Sequence, residues 1–512
     1  MELKELCEKT LLLFEINNVD ELSDKLYEVT INNLNDYYDE FKNIVGDLSI
    51  DWLQKIFQYF QADRKNKKQD YTPKSLAETV AKISKTDNEK VVLDMCAGSG
   101  ALTIQKWNTN NDLEFICMEF DENVIPYLLF NLAIRNIRAT VHQADVLQNE
   151  IFKSYQVNKG DKYGLVSEIT TPTKIKADVC ISNPPYNMRW ETPVFATIQK
   201  RFIGYEIPPE SNANYAFILT ALSIANKVTM ILPCSVLQEI DNINFSIRKN
   251  IIENNLVESV IVNPNNMFES TDIGTCLITF SNSKKTRKIK MLDMRKTYQT
   301  EERKQRGQYG SKSHTNRVYK KVFNVYDEKC QEIIIKTLEK EQENIPEFYS
   351  LVGIDDIRKK KYSLVPSQYS EFVIKEPPTR TYESIIADYN KIVRAKNEVK
   401  ITINESLARK IGLDVENYKK LNDNSKNVKT NLESVFNLSV ESDDYISFSK
   451  RKNEFNISSN NKDTISVLMV SFLKELINHI KFLHQQENII LAELRDTMLP
   501  DLLSGKIDVS NL

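Results

Sequence analysis

The sequence predicts an α/β protein with a doubly wound, largely parallel sheet, flanked by an N-terminal helical region and a C-terminal helical or coiled-coil region. Three observations carry this reading. Short apolar runs alternate with helical stretches through the middle of the chain, the pattern of parallel strands joined by crossover helices. Residues 1–68 show helical periodicity and almost no strand signal. The last segment repeats apolar residues near heptad spacing over a long stretch.

In chain order, Leu11, Leu12, Leu13, Phe14, Leu22, Leu26, Leu34 and Phe41 recur at three- and four-residue steps, and Trp52, Leu53, Ile56, Phe57 and Phe60 mark a further amphipathic helix. The polar run Asp63–Asp70 then interrupts the pattern as a linker would. From Val91 the texture changes. The runs Val91–Cys96, Leu113–Glu119, Ala177–Ser182, Lys227–Pro233, Val257–Val262 and Thr275–Phe280 read as strands, with Val124–Arg135 and Tyr215–Ala225 as helices between them. Helices return at Cys330–Glu343 and Tyr382–Lys400, and the Asn/Ser-rich stretch from Asn422 to Asn461 reads as a connection. The closing stripe of Ile465, Leu468, Met469, Phe472, Leu476, Ile480, Leu483, Ile490, Leu494 and Met498 predicts one long helix, stopped by Pro500 and Gly505. Four regions follow: 1–68, 69–325, 326–460 and 461–512.

Composition bounds the function. The chain has 512 residues, 41% apolar and 27% charged, which excludes collagen-like, disulfide-scaffold and wholly disordered classes. No stretch reaches the ~18 uninterrupted apolar residues of a spanning helix, so no membrane partner is expected. The N-terminus lacks a secretory pattern. The seven cysteines lie far apart with no CxxC pair, as reduced thiols in a cytoplasmic protein would, and the four histidines have no metal-ligand spacing. No metal is expected. The net charge of −3 says little about partners, but from Phe280 to Lys321 fourteen Lys/Arg stand against three Asp/Glu. Within that basic segment Lys284, Lys285, Arg287 and Lys288 are candidate phosphate contacts.

The chemistry is concentrated in a few short motifs. Asp94-Met-Cys-Ala97-Gly98-Ser99-Gly100 runs from a strand through a small-residue turn into a helix, where backbone can approach a ligand closely. Glu119, about twenty residues on at the next strand end, can bind both hydroxyls of a ribose. Asp145, following a polar loop, can accept a hydrogen bond from an adenine amine. Three acids and no Walker lysine fit a nucleoside ligand better than a phosphate one. Asn183-Pro184-Pro185-Tyr186 directly follows an apolar strand. Its prolines stop the strand and stiffen the backbone, placing one amide and one aromatic ring at the same strand-end edge as the glycine turn.

These motifs resemble those of the amino-group DNA methyltransferases that act on the exocyclic nitrogen of adenine. Gln69-Asp-Tyr71-Thr72-Pro73-Lys74 is similar to the segment that closes over the methionine end of the cofactor in that family, and its place upstream of the glycine turn matches the modification subunits of type I restriction–modification systems. Ile273–Phe280 and Ser350–Tyr369 also resemble those subunits, so that the likeness spans roughly residues 50–370. Tyr186 stands where many such subunits carry phenylalanine. The resemblance implies a Rossmann-like doubly wound methyltransferase domain over 69–325. It implies S-adenosyl-L-methionine as cofactor, held by Gln69, Tyr71, Thr72, Pro73, Lys74, Asp94, Ala97–Gly100, Glu119, Asp145 and Asn183, and catalysis by Asn183, Pro184, Pro185 and Tyr186 on an adenine flipped out of duplex DNA. Asn187 and Trp190 are further expected pocket residues. Glu487-Asn488 and Leu494–Gly505 resemble the end of type I specificity subunits, which implies a specificity subunit or a second protomer as the partner of the last helix, and a restriction subunit beyond it. An RNA or protein-glutamine methyltransferase is the alternative enzyme, against which Tyr71-Thr72-Pro73 and the long helical ends argue. A non-catalytic cofactor-binding scaffold is the alternative of another class, against which the intact Asn183, Pro184 and Tyr186 argue.

Overall fold

The structure is a computed structural model that describes residues 3–60, 72–170, 175–239, 241–268, 273–306, 318–339, 343–370, 380–410, 445–448, 455–460 and 463–503. It divides into two compact units, Met1–Phe372 and Val373–Leu512.

The first unit is built on a mixed sheet. Its strands are β1 (Val91–Asp94), β2 (Glu114–Glu119), β3 (Ala139–Asp145), β4 (Glu150–Asn158), β5 (Leu165–Glu168), β6 (Ala177–Ser182), β7 (Ala225–Pro233), β8 (Val257–Val262), β9 (Thr275–Ser281) and β10 (Lys288–Asp293), with β13 (Tyr349–Gly353) later in the chain. Among the described residues the order is β13-β10-β8-β9-β7-β6-β1-β2-β3-β4-β5, an 11-stranded sheet. β1 pairs in parallel with β2 on one side and β6 on the other, and β2 with β3 and β6 with β7 extend the parallel block. β9 runs antiparallel between β7 and β8, so β8 and its parallel partner β10 point the same way as β1. All the parallel strands therefore end at one edge of the sheet, and the chain departs from β1 in both directions there. Such a switch point opens a crevice.

The N-terminal helices α1 (Leu3–Leu13), α2 (Leu22–Ile31), α3 (Asn35–Val45) and α4 (Trp52–Phe60) share one core with the sheet domain. The reason lies in α7 (Ile125–Ile134), whose residues are apolar almost all round and all buried. A helix of that kind needs cover on both faces. The sheet covers one, and Phe14, Tyr38 and Phe41 meet Phe130 at 5.7, 5.0 and 5.4 Å between ring centroids. Polar ties complete the joint. Asp51 accepts hydrogen bonds from Ser99 Oγ at 2.6 Å and Asn131 Nδ2 at 2.9 Å, while Arg135 donates to the Leu48 and Ile50 carbonyls, each at 2.8 Å. Burial raises the Asp51 carboxyl and holds the Arg135 guanidinium down at about 10.

All six strands expected from the sequence are present, within two residues at each end. The expected polar loop before Asp145 is instead strand β3, in which Thr140 and Gln143 stand among buried Ala139, Val141, His142 and Ala144. The basic segment is not one loop. It supplies β10 and then a separate hairpin, β11 (Gln299–Arg306) with β12 (Val318–Val325). The remaining helices of this unit are α5 (Lys74–Ile83), α6 (Ala101–Thr109), α8 (Asn214–Ile224), α9 (Asn242–Glu253), α10 (Glu328–Glu339) and α11 (Ile354–Lys359).

In the second unit α12 (Tyr382–Lys410) packs along α13 (Thr464–Leu503), with a small antiparallel pair, β14 (Ile446–Phe448) and β15 (Phe455–Ile457). Val399, Ile457, Leu473, Leu476 and Leu483 form its core, and Lys396 pairs with Glu487. The long apolar stripe is thus covered in part by the chain's own α12. The helix also continues past Pro500 to Leu503. Most of the expected 422–461 connection lies outside the described residues. Among the described residues no helix is long and apolar enough to cross a membrane.

Candidate active site

A cavity of about 200 Å³ opens at the switch point. The residues that directly follow each parallel strand line it: Met95–Gly98 after β1, Glu119–Asp121 at the end of β2, Asp145–Leu147 after β3, and Asn183–Tyr186 after β6. Motifs dispersed over about a hundred residues of sequence therefore share one edge because parallel strands end together.

The glycine turn is shaped by backbone need. Gly98 and Gly100 have φ of 54° and 101°, in the left-handed region that side chains rarely adopt. A Cβ on Gly100 would also stand 3.0 Å from Leu128 Cδ1, so the turn packs against α7 with no room to spare. The Gly98 amide donates to Glu119 Oε2 at 2.8 Å and the Asp121 amide to Oε1 at 2.8 Å. Each carboxylate oxygen keeps a further lone pair. Burial raises the Glu119 carboxyl, opposed by those amides. Asp145 is fixed likewise, its Oδ1 accepting from the Leu147 and Gln148 amides at 2.9 and 3.0 Å.

Asn183 is held from both ends of its amide. Nδ2 donates to Thr72 Oγ1 at 3.0 Å, and Oδ1 accepts from the Tyr186 hydroxyl at 2.6 Å. Thr72 is 6% exposed and lies just ahead of α5, where Pro73 is the N-cap. Tyr186 in turn packs edge-on to Phe268, with ring centroids 6.1 Å apart. The backbone that follows is locked by a reciprocal amide pair: the Asn187 amide N–H donates to Asn214 Oδ1 at 3.1 Å and Asn214 Nδ2 donates to Asn187 Oδ1 at 3.0 Å. Asn187 itself has φ of 50°.

Of the expected site residues, Thr72, Ala97, Gly98, Glu119, Asp145, Asn183, Pro184, Pro185 and Tyr186 line the cavity. Gln69 and Tyr71 lie outside the described residues. Several others are placed elsewhere. Asp94 is fully buried beneath the turn, its Oδ2 accepting from Thr103 Oγ1 at 2.8 Å, and burial pushes its carboxyl up to about 7. Ser99 turns its hydroxyl away to Asp51, and Gly100 is absent from the wall because it packs on Leu128. Pro73 caps α5, and Lys74 is exposed beside Glu78 at 3.7 Å. Asn187 serves the turn through Asn214, and Trp190 donates from Nε1 to the Pro209 carbonyl at 3.0 Å, packed on Phe202.

Topology sets the expected phosphate contacts Lys284, Lys285, Arg287 and Lys288 away from the cavity. β10 begins at Lys288 and runs parallel to β8, so these residues sit at the N-terminal edge of the parallel strands, opposite the cavity. Lys284 is committed to structure there, donating to the Val257 carbonyl at 2.6 Å, and burial lowers its amine to about 8. Phe120, Asp121, Val146 and Leu147 line the wall unannounced, although each lies within two positions of an expected residue; Met188 and Phe217 had no sequence signal.

The wall fits a nucleoside carrying an apolar tail. Glu119, Asp121 and Asp145 offer acceptors for hydroxyls and an amine, and Met95, Ala97, Leu102, Met118, Val146 and Leu147 offer apolar surface. Among the described residues no Lys or Arg faces the cavity, as a phosphate group would require.

Comparison with known proteins agrees. The methylase subunit of the MjaVII type I restriction enzyme of Methanocaldococcus jannaschii is 22% identical over 374 residues, covering 70% of this chain and 59% of that protein. The HindI methylase subunit of Haemophilus influenzae is 28% identical over 261 residues, covering 47% of this chain and 53% of that protein. The chain thus spans about half the length of the curated relatives it matches. The solved type I restriction–modification methyltransferase subunit of Streptococcus thermophilus superposes with a TM-score of 0.51 at 19% identity, covering 72% of this chain and 77% of that one, and shares the fold. Residues 44–376 match the profile of the N-6 DNA methylases, and with well over half of its length matched the chain belongs to that family.

Proposed function

We propose that this chain transfers a methyl group from S-adenosyl-L-methionine to the N6 amine of an adenine flipped out of duplex DNA, as the modification component of a restriction–modification system. The observation that carries the reading is the two-ended anchoring of Asn183, with Nδ2 spent on Thr72 and Oδ1 directed to the Tyr186 hydroxyl in the cavity.

An adenine amine is a poor nucleophile because its lone pair is conjugated with the ring. Asn183 Oδ1, an sp² oxygen with two lone pairs, accepts one proton of the amine in a hydrogen bond. The Pro184 carbonyl takes the second amine proton in a hydrogen bond. With both protons held, the nitrogen moves toward sp³ character and its lone pair is freed. When bound, S-adenosylmethionine would supply an already activated sulfonium methyl group, its C–S bond breaking as the N–C bond forms, with S-adenosylhomocysteine leaving and the surplus amine proton passing to water. The residues of this chain then contribute orientation and acceptors aimed at the positive charge that develops on the amine. Donation from Asn183 Nδ2 to Thr72 polarises the amide and strengthens its oxygen as an acceptor. Glu119 takes the ribose hydroxyls, Asp145 the adenine amine of the cofactor, and Tyr186 provides the aromatic face for the target base.

The partners follow from the same reading. Recognition of a DNA sequence falls to a specificity subunit, docked on the α12–α13 unit. The support is the resemblance of Leu494–Gly505 to specificity-subunit ends, together with Val467, Phe482 and Ile489, which stay 52–60% exposed on α13. A restriction subunit joins through that assembly. The test is methyl transfer from labelled S-adenosylmethionine to duplex DNA, to RNA and to protein, with hydrolysis of the product to nucleosides. Label in N6-methyladenosine of DNA supports the reading. Label only in RNA or glutamine, or none while the cofactor still binds, replaces it with an alternative activity or a scaffold.

A further inference from the structure

The β11–β12 hairpin has no part in the cavity, yet its placement and charge are unusual. It follows β10, which ends at Asp293 on the cavity edge of the sheet. It is stitched to the loop after β8: the Asn324 amide donates to the Asn266 carbonyl at 3.0 Å, and Asn324 Nδ2 donates to the Asn265 carbonyl at 2.7 Å. That same loop carries Phe268 against Tyr186. The hairpin is thus tied, through one short loop, to the aromatic ring assigned to the target base.

Its sequence holds five cations, Arg303, Lys304, Arg306, Lys320 and Lys321, against Glu301 and Glu302. The antiparallel register sets Arg303 opposite Lys321 and Lys304 opposite Lys320. Like charges directly across a ladder destabilise it. A two-stranded hairpin gains little stability of its own to offset that cost. The Arg303–Lys321 pairing becomes favourable when a polyanion lies along that face of the ladder. Arg303 and Lys321 are held over the Phe323 ring at 5.1 and 5.2 Å, which fixes where their charges sit. The Arg303–Glu301 and Lys320–Glu302 pairs are exposed enough that a phosphate can replace the glutamate at small cost.

We propose that the β11–β12 hairpin is a phosphate-binding arm that grips the backbone of the DNA duplex beside the flipped base. This rests on the methyltransferase reading above and adds a surface to it. The arm contributes affinity and register but no base information.

The experiment uses the full chain. Its affinity for duplex DNA is followed by fluorescence anisotropy between 50 and 200 mM salt, for wild type, for a variant combining Arg303→Gln, Lys320→Gln and Lys321→Gln, and for Lys285→Gln with Arg287→Gln at the opposite sheet edge. The hairpin variant should lose nearly one unit of log–log salt slope per lost contact, about two to three units in all. The opposite-edge variant should keep the wild-type slope. Arg303→Lys with Lys320→Arg and Lys321→Arg, which preserves charge, should keep it too, showing that the hairpin folds. An unchanged slope in the hairpin variant, or an equal loss at the opposite edge, overturns the proposal. So does wild-type affinity that does not fall with salt. Methyl transfer to adenine in cells carrying the wild-type gene is read alongside; its presence with an unchanged hairpin slope removes the arm and leaves the methyltransferase reading standing, and its absence removes that reading.

Discussion

Thr72 Oγ1 accepts a hydrogen bond from Asn183 Nδ2 at 3.0 Å, and this contact decides which end of the amide faces the Tyr186 hydroxyl. Turned over, Asn183 would present a donor to an amine that needs an acceptor. Thr72→Val should therefore lower the methyl-transfer rate about tenfold, the value of one ordinary hydrogen bond, with cofactor affinity within a few-fold. Thr72→Ser should restore most of the rate. Single-turnover kinetics with calorimetric titration check this, and equal rates for the valine and serine variants would remove Thr72 from the mechanism.

Glu119 is expected to hold the cofactor rather than the base. Glu119→Ala should weaken S-adenosylmethionine binding by roughly 1.5–3 kcal/mol, the usual worth of hydrogen bonds to a charged group. Calorimetry reads the affinity directly. An unchanged value would leave Glu119 only its hydrogen bonds to the Gly98 and Asp121 amides.

The joint between the N-terminal helices and the glycine turn depends on Asp51, which is 5% exposed. Asp51→Ala leaves Ser99 and Asn131 without their acceptor and removes the negative charge near buried Arg135. The expected loss is about 3 kcal/mol, as when one partner of a buried ionic network is deleted. Trp52, Trp107 and Trp190 all lie in the first unit, so urea unfolding followed by tryptophan fluorescence reports that unit alone. A shift under about 1 kcal/mol would mean that water or neighbouring groups replace the carboxylate.

How much of this was legible beforehand can be traced residue by residue. Glu119, Asp145 and Asn183–Tyr186 were readable because each follows an apolar strand, and parallel strands bring such positions to one edge. Ser99 and Lys74 do not line the cavity because a motif fixes the backbone path but not the direction of a side chain; Ser99 turns to Asp51, 48 residues earlier in the sequence. Strand β10 was hidden because Lys288 and Lys290, the polar half of an alternation with buried Ile289 and Met291, read as part of the basic segment. The role of Asn214 had no local signal at all, since it arises from packing across 27 residues.

Asp94 makes stability depend on pH. Its carboxyl is raised to about 7 from an ordinary value of 3.8, chiefly by burial. The folded state then binds the proton more tightly than the unfolded one, so the contribution is full below pH 3.8 and is lost as pH rises toward about 7. Asp94→Asn keeps an acceptor for Thr103 and removes the titration. Relative to wild type, the variant should gain about 1–2 kcal/mol of stability between pH 5.5 and 8. Urea midpoints at both pH values check it, and a pH-independent difference would show that Asp94 is ionised throughout.

The central claim is that Asn183 makes an adenine amine nucleophilic in this cavity. Its most direct test is single-molecule sequencing of DNA from cells carrying the wild-type gene, no gene, or Asn183→Ala in the otherwise intact chain. The account predicts N6-methyladenine at a defined sequence with the wild type and none in the other two, while purified Asn183→Ala binds S-adenosylmethionine within a few-fold of wild type. Loss of one such oriented acceptor costs ~10²-fold or more in rate. The same modified adenines with Asn183→Ala, at more than about a tenth of the wild-type rate in vitro, would contradict it.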